Sequence, residues 1–109
     1  MMRDFKWSGS EKAIARKAFE AALKRELDAI VAEVKRMVLA PDFCDPWKID
    51  DFLSARRKEV DQKYDYRYSV LPDVFARLIF DGWLAEAELE GLGQEKLDHL
   101  EAWLRFARE

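Results

Sequence analysis

Apolar residues recur at helical spacing through the first third of the chain. From Phe19 onward they are separated by steps of four, four, three, four and three, at Leu23, Leu27, Ile30, Val34 and Met37. Val31 and Val38 widen this apolar stripe on one flank. Such spacing is typical of an amphipathic helix with one broad apolar face. The pattern therefore predicts a helix that runs through most of the first forty residues.

Local signals mark both ends of this helix. Ser8 and Glu11 have the S-x-x-E spacing of a capping box, which predicts a start near residue 9 or 10. No proline interrupts the chain before Pro41, which ends the helix. About thirty helical residues span roughly 45 Å, whereas a compact chain of this length is only about 34 Å across. The stripe fits either a kinked helix in a monomeric bundle or a dimer with Val31 near its centre, and we favour the dimer.

Capping signals divide the rest of the chain into shorter helices. In the turn of residues 39–46, Asp45 caps a second helix with Pro46 at its first position. This helix is predicted to run to about Tyr68, and Ser69 is predicted to cap a third, "VLPDVFARLIF". Gly82 suits the left-handed C-cap of that third helix. A short helix in "WLAEAELEGLG" and a last one in "QEKLDHLEAWLRFA" follow.

The predicted class is therefore all-α. We expect one all-helical domain over residues 1–109, with a long-helix dimerisation region at residues 8–68 and a compact C-terminal head at residues 69–109. No β pattern competes with the helical one.

The second helix has an unusual polar side. On a helical wheel its expected core stripe is formed by Ile49, Leu53, Val60 and Tyr64. The opposite arc of about 120° holds Trp47, Asp50, Asp51, Ser54, Arg57, Lys58 and Asp61. This arc is either a solvated face that carries one tryptophan or a face that binds another protein. Tryptophan, arginine and carboxylate together are typical of binding hot spots, and the arc alone leaves both interpretations open.

Composition and charge exclude several classes of function. The net charge of −3 gives no general affinity for nucleic acid or an anionic membrane, and acids flank the basic run in "ARRKE". The one cysteine, Cys44, allows no internal disulfide and favours a reducing compartment. With no signal peptide or membrane span in view, we expect a cytoplasmic protein.

No constellation for catalysis or metal binding stands out. The aspartates around the second helix lack EF-hand spacing, and the one histidine, His99, has no nucleophile paired to it by any motif. We therefore expect no enzyme activity, cofactor, metal or small-molecule substrate. Trp83, Trp103 and Phe106 fit either core positions or an exposed docking patch, and core is the more common case.

The block "WKIDDFLSARRKEVDQKYDYRYSVLPDVFARLIFDG" closely resembles the fluorescence recovery protein family of cyanobacterial photoprotection. The N-terminal "WS" and the run from Phe19 to Asp28 are also similar to it. The resemblance covers roughly residues 7–92. It implies an all-helical homodimer that binds no carotenoid. It also implies binding to the photoactivated orange carotenoid protein, whose return to the resting form the family accelerates without covalent chemistry.

The resemblance also assigns functional residues. Trp47, Asp51 and Arg57 match the family's partner and dimer face, and Val31 falls at an apolar dimer contact. Asp50 lies in the same face, at a position where the cyanobacterial proteins often carry histidine. Asp73 and His99 are further departures, in the head. They leave a second hypothesis open: a divergent homologue, a helical scaffold or adaptor that keeps the dimer but binds a different protein.

Overall fold

The computed structural model of the protein describes residues 5–109. Four α-helices follow one another: α1 (Gly9–Leu39), α2 (Trp47–Lys63), α3 (Leu71–Phe80) and α4 (Gln94–Ala107). A single 3₁₀ turn, Glu86–Leu89, lies between α3 and α4. None of the described residues forms a β-strand, so the predicted all-α class is confirmed. Residues 1–4 of the predicted domain lie outside the described part.

The N-terminus of α1 is the capping box that the sequence predicts. The Ser8 hydroxyl accepts the Glu11 N–H at 3.2 Å, and the Glu11 carboxylate accepts the Ser8 N–H at 3.0 Å. The same carboxylate accepts the Gly93 N–H at 2.7 Å and the buried Lys96 ammonium at 2.9 Å. The Ser8 backbone bond, then Lys96 and Gly93, lower the pKa of Glu11 to about 2. Glu11 thus joins the first turns of α1 and α4.

The first half of α1 packs on the head. Its buried residues are Ala15, Ala18, Phe19, Ala22 and Glu26. Alanine side chains are small, so α1 can lie close against α3 and the 3₁₀ turn. The core of the head is built from buried leucines and Phe75, and Leu71, Phe75 and Leu78 are fully enclosed.

The second half of α1 extends beyond the head and lies beside α2. Leu27, Val31, Val38 and Leu39 are all exposed there, Leu39 at 80%. The molecule measures 52 × 29 × 21 Å, and its radius of gyration is 16.7 Å, against about 13 Å for a compact chain of this length. We call residues 27–39 and α2 the arm. The arm has little apolar core of its own.

The helix α2 ends at Lys63, five residues before the predicted end near Tyr68, so that prediction is wrong. Beyond it, Tyr64, Tyr66 and Tyr68 lie in a non-helical segment along α1. The Tyr64 and Tyr66 rings pack edge-on against Phe19, at 5.4 and 4.9 Å between centroids. Side chains at every second position share one side of an extended chain but not of a helix. Packing of these rings therefore ends α2 early.

The remaining boundaries follow the predicted order, with two corrections. Ser69 does not cap α3: a turn from Arg67 to Val70 precedes that helix, which has no side-chain cap. The predicted short helix is reduced to the 3₁₀ turn. At the end of α3, Gly82 has φ 87°. The Trp83 and Gly82 N–H groups bond to carbonyls of α3 in the Schellman pattern, as expected for a glycine C-cap.

Candidate protein-binding face

The start of α2 is fixed by the turn that precedes it. The Asp45 carboxylate accepts the Trp47 N–H at 3.0 Å, and Pro46 already has helical dihedral angles. The N-cap of α2 is Pro46 and the helix begins at Trp47, one residue later than the predicted cap at Asp45 and first position at Pro46. The Asp45 bond and the Pro46 dihedral angles set the direction in which the first turn of α2 presents Trp47, whose side chain is 72% exposed.

The polar arc predicted from the helical wheel is one continuous exposed surface. Its seven residues are all exposed: Trp47, Asp50, Asp51, Ser54, Arg57, Lys58 and Asp61. We call these seven residues the contact face. No residue of α2 is fully buried, so the helix before Lys63 gains little from the monomer on either side.

The inward side of α2 is rotated relative to the prediction. Ile49 and Val60 are half-buried as expected, but Phe52 and Arg56 also turn inward, while Leu53 is 41% exposed. The aromatic ring of Phe52 lies 5.8 Å from the Arg56 guanidinium. The sequence analysis missed both residues because it assigned the apolar stripe from aliphatic positions and Tyr64.

The rotation opens an apolar groove beside the contact face. The groove holds about 220 Å³ and is formed by Leu27 and Ile30 of α1 with Leu53 and Val60 of α2. Arg57 and Asp61 of the contact face line its edge. Val31 lies one helical turn beyond Leu27 and is 52% exposed. The apolar stripe of α1 and the contact face of α2 thus meet at one groove.

The charges of the contact face are weakly paired within the chain. Arg57 and Asp61 are 3.8 Å apart, with side chains 84% and 70% exposed. Among residues 5–109, Asp50 and Asp51 have no ion-pair partner. Exposed pairs of this kind contribute little to stability. These side chains are therefore available for bonds to a second protein.

A buried ionic cluster fixes the end of α2 to the head. The Lys63 ammonium lies 2.7 Å from the Glu26 carboxylate and 3.3 Å from that of Asp81. The Tyr64 hydroxyl donates to Glu26 at 2.8 Å. Burial, and next the Glu26 carboxylate, raise the pKa of Tyr64 well above its usual range. Sequence reasoning missed this cluster because its members are far apart in the chain.

The two unusual residues of the head contact each other. His99 Nε2 lies 2.8 Å from Asp73 Oδ1, and the His99 ring meets the Phe5 ring edge-on at 5.4 Å. His99 is thus in contact with Asp73 and Phe5 within the structure. Trp83 and Trp103 pack against the core as half-buried residues, whereas Phe106 is 81% exposed. The aromatic residues near the C-terminus are therefore divided between core and surface.

Two further properties concern metal and membrane binding. Residues 5–109 contain no group of three or more metal-ligating side chains placed to hold an ion. Over the same residues, no helix combines the length and the apolar character that crossing a bilayer requires. Cys44 is exposed.

Comparison with known proteins identifies the family. Residues 7–103 match the family model described as photoprotection regulator fluorescence recovery protein. The chain is also 40% identical, over 101 residues, to the fluorescence recovery protein of Synechocystis sp. PCC 6803, covering 92% of this chain and 93% of that protein. The chain belongs to the fluorescence recovery protein family. The resemblance seen in the sequence is thereby confirmed, and so is its assignment to a family of photoprotection regulators.

Solved structures of fluorescence recovery proteins share this fold. The Fremyella diplosiphon protein superposes with a TM-score of 0.83 at 44% identity, covering 92% of this chain and 99% of that one. The Synechocystis sp. PCC 6803 protein gives the same TM-score and coverage at 40% identity. The arrangement of arm and head is therefore a family fold.

Proposed function

We propose that this protein is a non-enzymatic regulator that acts as a homodimer and binds an orange carotenoid protein. On this proposal it accelerates the return of the photoactivated form to the resting form. Family membership supports the general role. The observation that carries the site is the contact face: Trp47 is 72% exposed on a helix that has no buried residue. A large aromatic ring held in water next to unpaired carboxylates is typical of a hot spot.

The arm is the dimerisation region in this proposal, and the head is the second partner contact. The apolar groove supports the first assignment, because Leu27, Val31 and Leu53 expose apolar surface that a second copy would cover. In a twofold dimer each contact forms twice. We therefore expect Arg57 to bind Asp50 or Asp51 of the second copy, or a carboxylate of the partner protein.

The mechanism is a difference in binding. A protein that accelerates a conformational change without covalent chemistry must bind the transition state, or a compact intermediate, better than the starting form. The regulator therefore needs a surface that contacts both domains of the carotenoid protein as they close. Such a regulator works in the cytoplasm, without a cofactor.

Two variants test the contact face. Trp47→Ala and Arg57→Ala should abolish co-elution with a photoactivated orange carotenoid protein in size-exclusion chromatography, while the far-UV circular dichroism stays that of the wild type. The matched control is Arg36→Ala, an arginine also exposed on the arm but paired with Glu33. Retained co-elution in both contact-face variants would remove this face from the mechanism.

One variant tests the dimer. Val31→Glu places a charge in the apolar stripe, and burying an unpaired charge costs several kcal/mol. We expect monomers by light scattering, whereas Ala32→Glu, at an exposed position of the same helix that faces away from the apolar stripe, should remain dimeric. An unchanged mass for Val31→Glu would place the interface elsewhere.

A second candidate is a helical scaffold or adaptor that keeps the dimer and binds a different protein. The Asp73–His99 pair and the exposed Phe106 favour it, because they change the charge and the aromatic surface of the head. Under this hypothesis the dimer forms but no orange carotenoid protein responds to it.

A further inference from the structure

A cleft distinct from the apolar groove lies on the opposite side of α2 from the contact face, where the arm joins the head. It holds about 490 Å³ and is lined by charged side chains from α1, α2 and α3, together with Trp83. The contact face does not include any of these side chains. The cleft is therefore a separate feature that the proposed function leaves unexplained.

The carboxylates of this cleft are already engaged. Glu26 accepts from Lys63, and Asp81 accepts from both Lys63 and the Arg77 Nε–H, the latter at 3.0 Å. Glu59 accepts from Arg56 Nη2. Three acidic and three basic side chains line the cleft, so its formal charge is balanced. A further carboxylate entering the cleft would not meet an uncompensated negative charge.

The hydrogen-bond donors of the cleft are not all engaged. A guanidinium group carries five N–H donors in a planar fork and no acceptor. The Arg56 Nε atom is buried and has no hydrogen-bond partner among residues 5–109. Arg77, 56% exposed, is bonded within the described chain through Nε alone. Buried donors in folded proteins are nearly always paired with protein or with ordered water, so an acceptor oxygen brought into the cleft would meet a donor that no residue of the described chain satisfies.

We propose that this cleft binds a carboxylate side chain of a partner protein between Arg56 and Arg77. Planar guanidinium forks match the geometry of a carboxylate and can bind it with two parallel hydrogen bonds. Arg56 lines both this cleft and the apolar groove, so the cleft adjoins the surface that the proposed function assigns to protein contacts. Which protein supplies the carboxylate rests on the proposed function, whereas the cleft that binds it does not.

The test uses a peptide pair that differs only in this group. The ¹⁵N–¹H signals of the arginine Nε–H groups are followed by NMR while the protein is titrated with acetyl-Ala-Glu-Ala-amide or with acetyl-Ala-Gln-Ala-amide. We expect saturable shifts of the Arg56 and Arg77 signals with the glutamate peptide only. The Arg36 signal should not move, because Glu33 already occupies two nitrogens of its guanidinium, Nε and Nη2, whereas Arg56 and Arg77 are each bonded through one.

A conservative variant separates this site from general charge attraction. Arg56→Lys keeps the charge and removes the fork, and should weaken binding of the glutamate peptide at least fivefold. Arg36 also pairs with a glutamate three positions away in the chain. The same change there, Arg36→Lys, should leave binding of the glutamate peptide unchanged. Equal shifts with both peptides, uniform shifts of all arginines, no saturable shift, or full binding by Arg56→Lys would each overturn the proposal.

The proposed function can fail independently of this site. Loss of co-elution in Arg57→Ala reports on the contact face, whereas the peptide titration needs no carotenoid protein. Peptide binding without co-elution would keep the cleft and reject the contact face. Co-elution without peptide binding would keep the contact face and reject the cleft.

Discussion

The ion pair between Glu26 and Lys63 fixes the end of α2 to the head, and Lys63→Met tests how strongly. The ammonium lies 2.7 Å from the carboxylate, and the two side chains are only 10% and 9% exposed. Methionine has a similar length but no charge. The variant therefore removes the cation with little change in packing.

The structure indicates a large effect. Without Lys63, the buried Glu26 carboxylate keeps the hydrogen bond from the Tyr64 hydroxyl. Asp81 keeps its ion pair with Arg77. Removing one partner of a buried ion pair costs about 3–5 kcal/mol, because the other charge stays buried. We expect a loss of about 3 kcal/mol in the free energy of unfolding. This corresponds to a fall in Tm of about 12 °C for a chain of this size.

Urea unfolding followed by circular dichroism measures this loss, at one protein concentration because dimerisation makes stability depend on concentration. The matched control is Lys24→Met. Lys24 lies 2.7 Å from Asp28, but these side chains are 77% and 64% exposed, so we expect a change below about 0.5 kcal/mol.

The double variant Glu26→Gln/Lys63→Met should be more stable than Lys63→Met alone, since it leaves no unpaired charge at the pair. If Lys63→Met loses no more stability than Lys24→Met, the cluster does not hold the arm and the reasoning is wrong.

Two further predictions concern the N-terminal half of the molecule. The pKa of Glu11 is lowered to about 2, first by the Ser8 backbone hydrogen bond. Its stabilisation is therefore complete above the ordinary pKa near 4.5 and is lost as the pH falls toward 2. Between pH 5 and pH 2, stability measured by urea unfolding should fall more steeply in the wild type than in Glu11→Gln; parallel profiles would contradict this. Gly91 has φ 101°, and an added Cβ would lie 2.6 Å from Ile14 Cδ1. Gly91→Ala should lower the free energy of unfolding by about 1–2 kcal/mol, whereas Gly9→Ala, which meets open space, should not; equal effects would refute the steric argument.

Local signals in the sequence predict much of the fold. The capping box at Ser8, the turn at Asp45 and Pro46, and the C-cap at Gly82 all depend on residues close together in the chain. The exposed arc of α2 was also predictable, because helical periodicity determines which side chains share a face. The seven residues of the contact face follow from that periodicity alone.

Long-range packing determines what the sequence analysis missed. The spacing of Tyr64, Tyr66 and Tyr68 is that of an extended chain, but only the packing of the Tyr64 and Tyr66 rings on Phe19 ends α2 at Lys63. Besides Phe19, the buried face of α1 is formed by three alanines and Glu26, although hydropathy gives leucine and valine more weight. The buried ionic cluster joins residues 37 and 18 positions apart, and no local pattern indicates such a pairing. The unpaired Arg56 Nε atom likewise appears only once the arm and head are in place.

Dark recovery of a photoactivated orange carotenoid protein tests the central claim most directly. The red-to-orange absorbance decay would be recorded alone and with this protein at equimolar and substoichiometric ratios, using wild type, Arg57→Ala and the Arg36→Ala control. We predict that the wild type and Arg36→Ala accelerate recovery at both ratios and that Arg57→Ala does not. If the wild type forms a dimer and yet leaves the recovery rate unchanged, the protein does not regulate this partner, and the scaffold hypothesis takes its place.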